Sequence, residues 1–127
     1  MSIQKWSKVF GVVFLLVGIL GFVPGITTDG HLLGIFEVDT VHNIIHLLTG
    51  IIALAVAGSA SKARGFFKIF GVVYAVVAVV GILHGSSVLG LIGVNMADNI
   101  LHVVLAIVIL AIGFGGKKSA PVAPTSM

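Results

Sequence analysis

Two pairs of matching stretches decide the fold of this chain. Residues 8–21 read KVFGVVFLLVGILG, and residues 68–81 read KIFGVVYAVVAVVG. Residues 33–46 read LGIFEVDTVHNIIH, and residues 89–102 read LGLIGVNMADNILH. Lys, Gly, Asn and His recur at equivalent places, which a merely apolar composition would not produce. The sequence therefore predicts two copies of one helical hairpin, covering about residues 8–60 and 68–116.

The composition places these hairpins in a membrane. Of the 127 residues, 58% are hydrophobic and 9% are charged. A soluble protein carries roughly 25% charged residues, so this chain could not cover a soluble surface. Its length suits a single small domain. The absence of cysteine excludes disulfides, iron–sulfur clusters and thiolate metal sites.

Four stretches without any charged residue are each about as long as the roughly 20 residues that cross a bilayer. They must be helical, because an isolated strand would leave its backbone unpaired in lipid. The prediction is an all-α membrane protein with four transmembrane helices, whose hairpins are related by a parallel pseudo-two-fold axis along the membrane normal. The predicted helical cores are Val9–Val23, Val41–Ala60, Ile69–Leu83 and Asn99–Phe114.

The charges predict the orientation. Four crossings place all seven basic residues at one end of the bundle and all four acidic residues at the other. By the positive-inside rule the basic end is cytoplasmic, as are residues 1–8 and a disordered tail at 117–127. The expected location is a bacterial cytoplasmic membrane, with the lipid bilayer, a further copy or another membrane protein as partner. Nucleic acid is not expected, since the basic residues are scattered singly despite a pI near 9.6.

A repeated polar element holds whatever chemistry the chain has. On a helix, residues at i, i+3 and i+4 share one face. His46 is predicted to lie roughly 9 Å below the outer end of its helix, where polar groups face protein or water. The candidate site residues are His42, Asn43, His46, Asp98, Asn99 and His102.

These residues permit three interpretations. The favoured one is structural, with an Asn of one helix hydrogen-bonded to a His of the other, each bond contributing about 0.6 kcal/mol. The second is a cofactor site: either Zn or Cu on the imidazoles and a carboxylate, or haem between two helices. The third is a proton, ion or small-molecule pathway, or a pH sensor facing outward. No nucleophile constellation or phosphate loop is present, so no enzyme activity is predicted. The candidate metal ligands are His42, His46, Asp98 and His102.

The stretch from Gly18 to Gly25, GILGFVPG, is followed by His42-Asn43-x-x-His46 and Gly50. Together these residues resemble a bacterial family of small four-helix membrane proteins, domain of unknown function 4383. The resemblance spans almost the whole chain, and its most specific part is the Asn-x-x-His element. It implies an integral membrane protein of bacteria and supplies no settled activity.

Overall fold

The computed structural model describes residues 1–115, so the predicted disordered tail at 117–127 lies outside the described residues. Over that range the chain is mostly helical. The helices are α1 (Ile3–Leu20), α2 (Thr40–Val56), α3 (Ala60–His84) and α4 (Met96–Gly115). The strands are β1 (Thr27–Thr28), β2 (His31–Leu32), β3 (Phe36–Glu37), β4 (Ser87–Val88) and β5 (Ile92–Gly93).

Each helix begins at a polar capping residue. The side chains of Ser2, Asp39 and Ser59 accept hydrogen bonds from the free backbone N–H groups of α1, α2 and α3. At the start of α4 the pairing is reciprocal. The Asp98 backbone N–H donates to Asn95 Oδ1, and the Asn95 backbone N–H donates to Asp98 Oδ2, both at 2.9 Å. This is a capping box with Asp in the place of the usual Glu.

Glycine allows the helices of each hairpin to pack closely. A Cβ atom at Gly50 of α2 would lie 2.8 Å from the carbonyl oxygen of Gly11 on α1. A Cβ atom at Gly113 of α4 would lie 2.8 Å from the backbone nitrogen of Lys68 on α3. The α1–α2 and α3–α4 contacts are much more extensive than those between the two hairpins. The backbones therefore approach most closely within each hairpin.

The interior of the bundle is small and aromatic, and its outside is apolar. The core cluster contains Phe14, Ala53, Phe66, Phe67, Tyr74, Ala106 and Ile109. Every helix also exposes large apolar side chains, including Leu16 on α1, Leu48 on α2, Val76 on α3 and Ile107 on α4. Three helices, α1, α3 and α4, are long and apolar enough to cross a membrane. An apolar exterior around such helices indicates a membrane protein.

The connections at one end of the bundle are not helical, so the all-helical prediction is incomplete. Strands β2 and β3 pair antiparallel, and so do β4 and β5. Each of these two β-hairpins turns at a Leu-Gly pair with positive φ. The pairs are Leu33 and Gly34 (56° and 71°) and Leu89 and Gly90 (53° and 68°). Such turns match the twist of paired strands. We call this end the acidic end, since it carries Asp29, Glu37, Asp39 and Asp98.

The opposite end carries the described basic residues, and we call it the basic end. Lys5 and Lys8 lie near the start of α1, and Lys62 and Arg64 near the start of α3. The Arg64 guanidinium donates a hydrogen bond to the carbonyl oxygen of Gly113 at 3.2 Å. That bond links the first turns of α3 to the last turn of α4, where backbone carbonyls lack helical partners.

Candidate metal centre

Three histidines meet between the two hairpins, toward the acidic end. His42 and His46 lie one turn apart on α2, and His102 lies on α4. The His42 ring centroid is 4.5 Å from that of His46 and 5.7 Å from that of His102. One ligand atom of each residue lies within 4.8 Å of the other two. We call this cluster the histidine triad.

The triad is buried, and four of its six ring nitrogens have no hydrogen-bond partner within the described part of the chain. The exposed fractions of His42, His46 and His102 are 1%, 7% and 2%. Within residues 1–115, both ring nitrogens of His42 and the Nδ1 atoms of His46 and His102 have no hydrogen-bond partner. A buried polar group left without a partner costs about 1–3 kcal/mol. The described protein groups therefore leave most ring nitrogens of the triad without a hydrogen bond, while backbone groups of Glu37 and Gly93 lie near the His42 ring.

Aromatic side chains close the triad toward the basic end. The Phe14 ring lies 5.9 Å from His46, and the Tyr74 ring lies 5.9 Å from His102. The Tyr74 hydroxyl lies 3.1 Å from Thr49 Oγ1, which itself donates to the Ile45 carbonyl oxygen at 2.8 Å. Phe14, Thr49 and Tyr74 form the floor of the triad.

The two asparagines do not make the predicted bonds to histidine. Among the described residues, no hydrogen bond joins Asn43 or Asn99 to any ring of the triad, and both Oδ1 atoms are buried without partners. A Cβ atom at Gly21 would meet the Asn43 amide, and one at Gly81 would meet the Asn99 amide. Each amide therefore packs against a glycine of its own hairpin instead of reaching across to the other.

Asp98 lies outside the triad, although the sequence made it a candidate ligand. Its carboxylate accepts the Asn95 backbone N–H in the capping box of α4. When residues 33–46 are aligned with residues 89–102, Asp98 stands opposite His42, which leaves one histidine on α4 against two on α2. The metal ligands that the structure brings together are therefore three imidazoles.

Two carboxylates outside the six candidate site residues lie beside the triad. Asp39 Oδ1 accepts from the His42 backbone N–H at 2.8 Å, and Asp39 Oδ2 accepts from the Gly93 backbone N–H at 2.7 Å. Glu37 also lies against Gly93. Both carboxylates are close enough to interact electrostatically with His42. The Asp39 cap could have been read from Asp-Thr at the start of an apolar helix, but nothing local predicts the contact with Gly93.

The remaining histidines lie elsewhere. His31, at the start of β2, is hydrogen-bonded through Nδ1 with the Asp29 carbonyl oxygen at 2.9 Å. His84 is exposed at the end of α3. Neither belongs to the triad, so both provide control positions for experiments on it.

Comparison with known protein families assigns the chain to one family. The family model described as a domain of unknown function (DUF4383) matches residues 4–115. The chain belongs to this family. The resemblance carried by Gly18–Gly25 and the Asn-x-x-His element is thereby confirmed. No curated protein and no solved structure shows a significant match.

The matched range of this DUF4383 member includes the whole triad, both asparagines and both β-hairpins. The family description names no activity. The function must therefore be argued from the geometry of the site.

Proposed function

We propose that this protein is a four-pass integral membrane protein whose histidine triad binds one divalent transition-metal ion. The observation that carries the metal site is the convergence of three buried imidazoles to within 4.8 Å, with four of their ring nitrogens unpartnered among residues 1–115. Imidazole is a good ligand for Zn, Cu, Fe and Ni. Three protein ligands with one open position is a common arrangement of zinc in proteins.

The distances suit a small ion. Three nitrogens bound to one tetrahedral Zn²⁺ lie about 3.3 Å apart, given Zn–N bonds of about 2.0–2.1 Å. The ligand atoms now lie within 4.8 Å of one another, so each needs to move by about 1 Å or less, which side-chain rotation supplies. Haem is a poorer match, because its iron takes two imidazoles on opposite faces of a flat ring. Here three rings converge on one another.

The membrane arrangement is argued from α2. At 17 residues, α2 is shorter than the other three helices, yet it is apolar and exposes Ile44, Leu48 and Ile51 on one face. The lower limit for a spanning helix is about 17 residues, so we include α2 as the fourth crossing. With the basic end inside, both termini lie in the cytoplasm of a bacterial cell.

The internal repeat is supported by matching structural positions. Gly21 contacts Asn43 in the first hairpin, as Gly81 contacts Asn99 in the second. Leu33-Gly34 and Leu89-Gly90 turn the loops with the same φ signs. We infer that the two hairpins descend from one unit. The second hairpin has Asp98 where the first has His42, so the site at their junction contains three histidines.

The metal proposal is tested on purified protein in detergent. Zn²⁺ is added in excess, the protein is dialysed, and metal is measured by elemental analysis. We expect one Zn²⁺ per chain, and visible absorption bands when Co²⁺ replaces it. His102→Ala is expected to weaken metal binding by more than about 100-fold, since even substitution of a residue that hydrogen-bonds a ligand typically lowers metal affinity about 10–100-fold.

His84→Ala is the matched control and is expected to keep one metal ion per chain. Circular dichroism and gel filtration check that each variant folds. If His102→Ala fails to fold, the Co²⁺ spectrum of the wild type and its displacement by Zn²⁺ still decide the question. A wild-type protein with no Zn²⁺ after loading and no Co²⁺ bands would overturn the proposal and favour a purely structural triad.

A further inference from the structure

We propose that the metal ion reaches the triad from the acidic end, through a polar cavity beside Asp39 and Asn43, and that the basic end is closed to it. This inference rests on the metal site proposed above and adds the direction of loading. If the metal ion enters there, it comes from the compartment that the acidic end faces. Four features of the structure lead to it.

The first feature is a cavity at the acidic end. It measures about 330 Å³ and lies between the first turn of α2 and the loop that follows α1. Thr27, Asp39, Thr40 and Asn43 supply its polar lining. Asn43 is 3% exposed, and its Oδ1 atom has no hydrogen-bond partner among the described residues. The described lining of this cavity includes no histidine. Asp39 connects the cavity to the triad, because its Oδ1 atom accepts a hydrogen bond from the His42 backbone N–H at 2.8 Å.

The second feature is the local charge. Asp39 and Glu37 both contact Gly93 and interact electrostatically with His42. Three neutral imidazoles leave the double charge of a metal ion uncompensated, and an isolated charge in a protein interior costs several kcal/mol. Two nearby carboxylates lower that cost. They also raise the local concentration of cations at the opening.

The third feature is the closed floor. Phe14, Thr49 and Tyr74 lie directly beneath the triad, and the Thr49–Tyr74 hydrogen bond joins α2 to α3. Further toward the basic end, Ala53, Phe67 and Ile109 are each 0% exposed. Within residues 1–115, the basic end also carries Lys5, Lys8, Lys62, Arg64 and Lys68. Apolar packing and positive charge both oppose a cation from that side.

The fourth feature is the chemistry of the other opening. A cleft of about 330 Å³ between α1 and α4 reaches His46, and its remaining lining is apolar, including Val13, Phe14 and Leu105. The cleft opens between helices whose outer faces are themselves apolar. A hydrated cation does not cross such a surface without losing its water, at a cost of many kcal/mol. The polar cavity beside Asp39 is therefore the favourable route.

Loading kinetics test the route. The rate of Co²⁺ uptake by metal-free protein is followed by absorbance at low and at high ionic strength. In the double variant Glu37→Gln, Asp39→Asn we expect loading about tenfold slower at low salt, because steering by such charges changes rates by 10–10³-fold. At high salt the rates should converge, since salt screens the carboxylates.

The substitutions are chosen to preserve the fold. Asn is as good a helix cap as Asp, so Asp39→Asn keeps the acceptor for the His42 N–H and loses the charge, but its amide nitrogen replaces the oxygen that accepts from the Gly93 N–H. Circular dichroism and the equilibrium Co²⁺ content therefore check that the double variant folds and still binds the metal. Lys62→Gln, an exposed change at the basic end, is the control and should load at the wild-type rate. A double variant that loads as fast as the wild type at low salt would refute the acidic route.

Sidedness provides an independent measurement. Sealed membrane vesicles of both orientations are prepared. External Zn²⁺ is supplied first, and an impermeant chelator is then added to remove the Zn²⁺ that has not bound. Only vesicles with the acidic end outward should fill the triad. Equal filling in both orientations overturns the route while leaving the metal site intact. A protein that takes up no Co²⁺ or Zn²⁺ at equilibrium overturns the metal site and the route together.

Discussion

Replacing Gly50 with Ala is expected to destabilise the α1–α2 hairpin, because the new methyl group would meet backbone atoms of α1 as well as the Leu15 side chain. The added Cβ atom would lie 2.8 Å from the Gly11 carbonyl oxygen and 2.8 Å from the Leu15 backbone nitrogen. Ordinary contacts of a Cβ atom begin near 3.4 Å, so the helices would have to separate by about 0.6 Å. Neither atom can rotate away.

Two opposing terms set the size of the effect. Ala favours a helix over Gly by about 1 kcal/mol. Overpacking costs about 1–3 kcal/mol, and a contact between two backbones falls at the upper end of that range. The Ser7 hydroxyl donates to the Ala53 carbonyl oxygen at 2.6 Å, one turn away, which holds the helices together and resists their separation. The expected net loss is about 2 kcal/mol.

The assay is reversible unfolding in mixed micelles, followed by circular dichroism as a denaturing detergent is added. Gly65→Ala is the matched control, since Gly65 lies within α3 and a Cβ atom there would have no neighbour within 4 Å. That variant should gain up to about 1 kcal/mol from helix propensity alone. A Gly50→Ala protein as stable as Gly65→Ala would refute the close approach of α1 and α2.

The remaining predictions concern the floor of the triad and the orientation of the chain. Thr49→Val should cost about 1–3 kcal/mol of unfolding free energy, because it leaves the buried Tyr74 hydroxyl without a hydrogen-bond partner. Tyr74→Phe should cost about 1 kcal/mol, since Thr49 keeps its hydrogen bond to the Ile45 carbonyl oxygen. Equal losses for the two variants in the same unfolding assay would contradict the arrangement in which Tyr74 donates to Thr49 and Thr49 donates to Ile45. The chain has no cysteine, so single-cysteine variants report topology directly. An impermeant thiol reagent should label Thr28→Cys in intact cells and Lys62→Cys only after lysis, and the reverse pattern would invert the proposed orientation.

Much of the helical framework could be predicted from the sequence. Long charge-free stretches and the recurrence of Lys, Gly, Asn and His indicated apolar helices and their order. The boundaries were less accurate. Helix α1 begins at Ile3 and ends at Leu20, instead of running from Val9 to Val23, and α3 begins at Ala60. Capping by Ser2 and Ser59 sets these starts, and such caps act through hydrogen bonds that hydropathy does not register.

The candidate site was predicted as a set of residue types but not as an arrangement. Four ligands were expected from the i, i+4 spacing on two helices. The structure brings together only the three histidines, because Asp98 is held by the capping box of α4. The expected Asn–His bonds do not form, since Gly21 and Gly81 leave room for the amides within their own hairpins. Spacing along one helix cannot reveal which neighbouring helix a side chain meets.

The sequence by itself determined that the chain is apolar and helical, and it predicted a duplication, because hydropathy and recurring residues can be read in order along the chain. The tertiary structure alone decided that His42 and His46 meet His102, that Asp39 and Glu37 reach Gly93, and that Phe14 and Tyr74 close the site beneath. The contacts of His42 with His102, and of Asp39 and Glu37 with Gly93, join the two hairpins. The contacts of Phe14 with His46 and of Tyr74 with His102 join the two helices of a single hairpin. They depend on how closely the glycine-lined helices approach, and that distance is set by backbone contacts that no single helix contains.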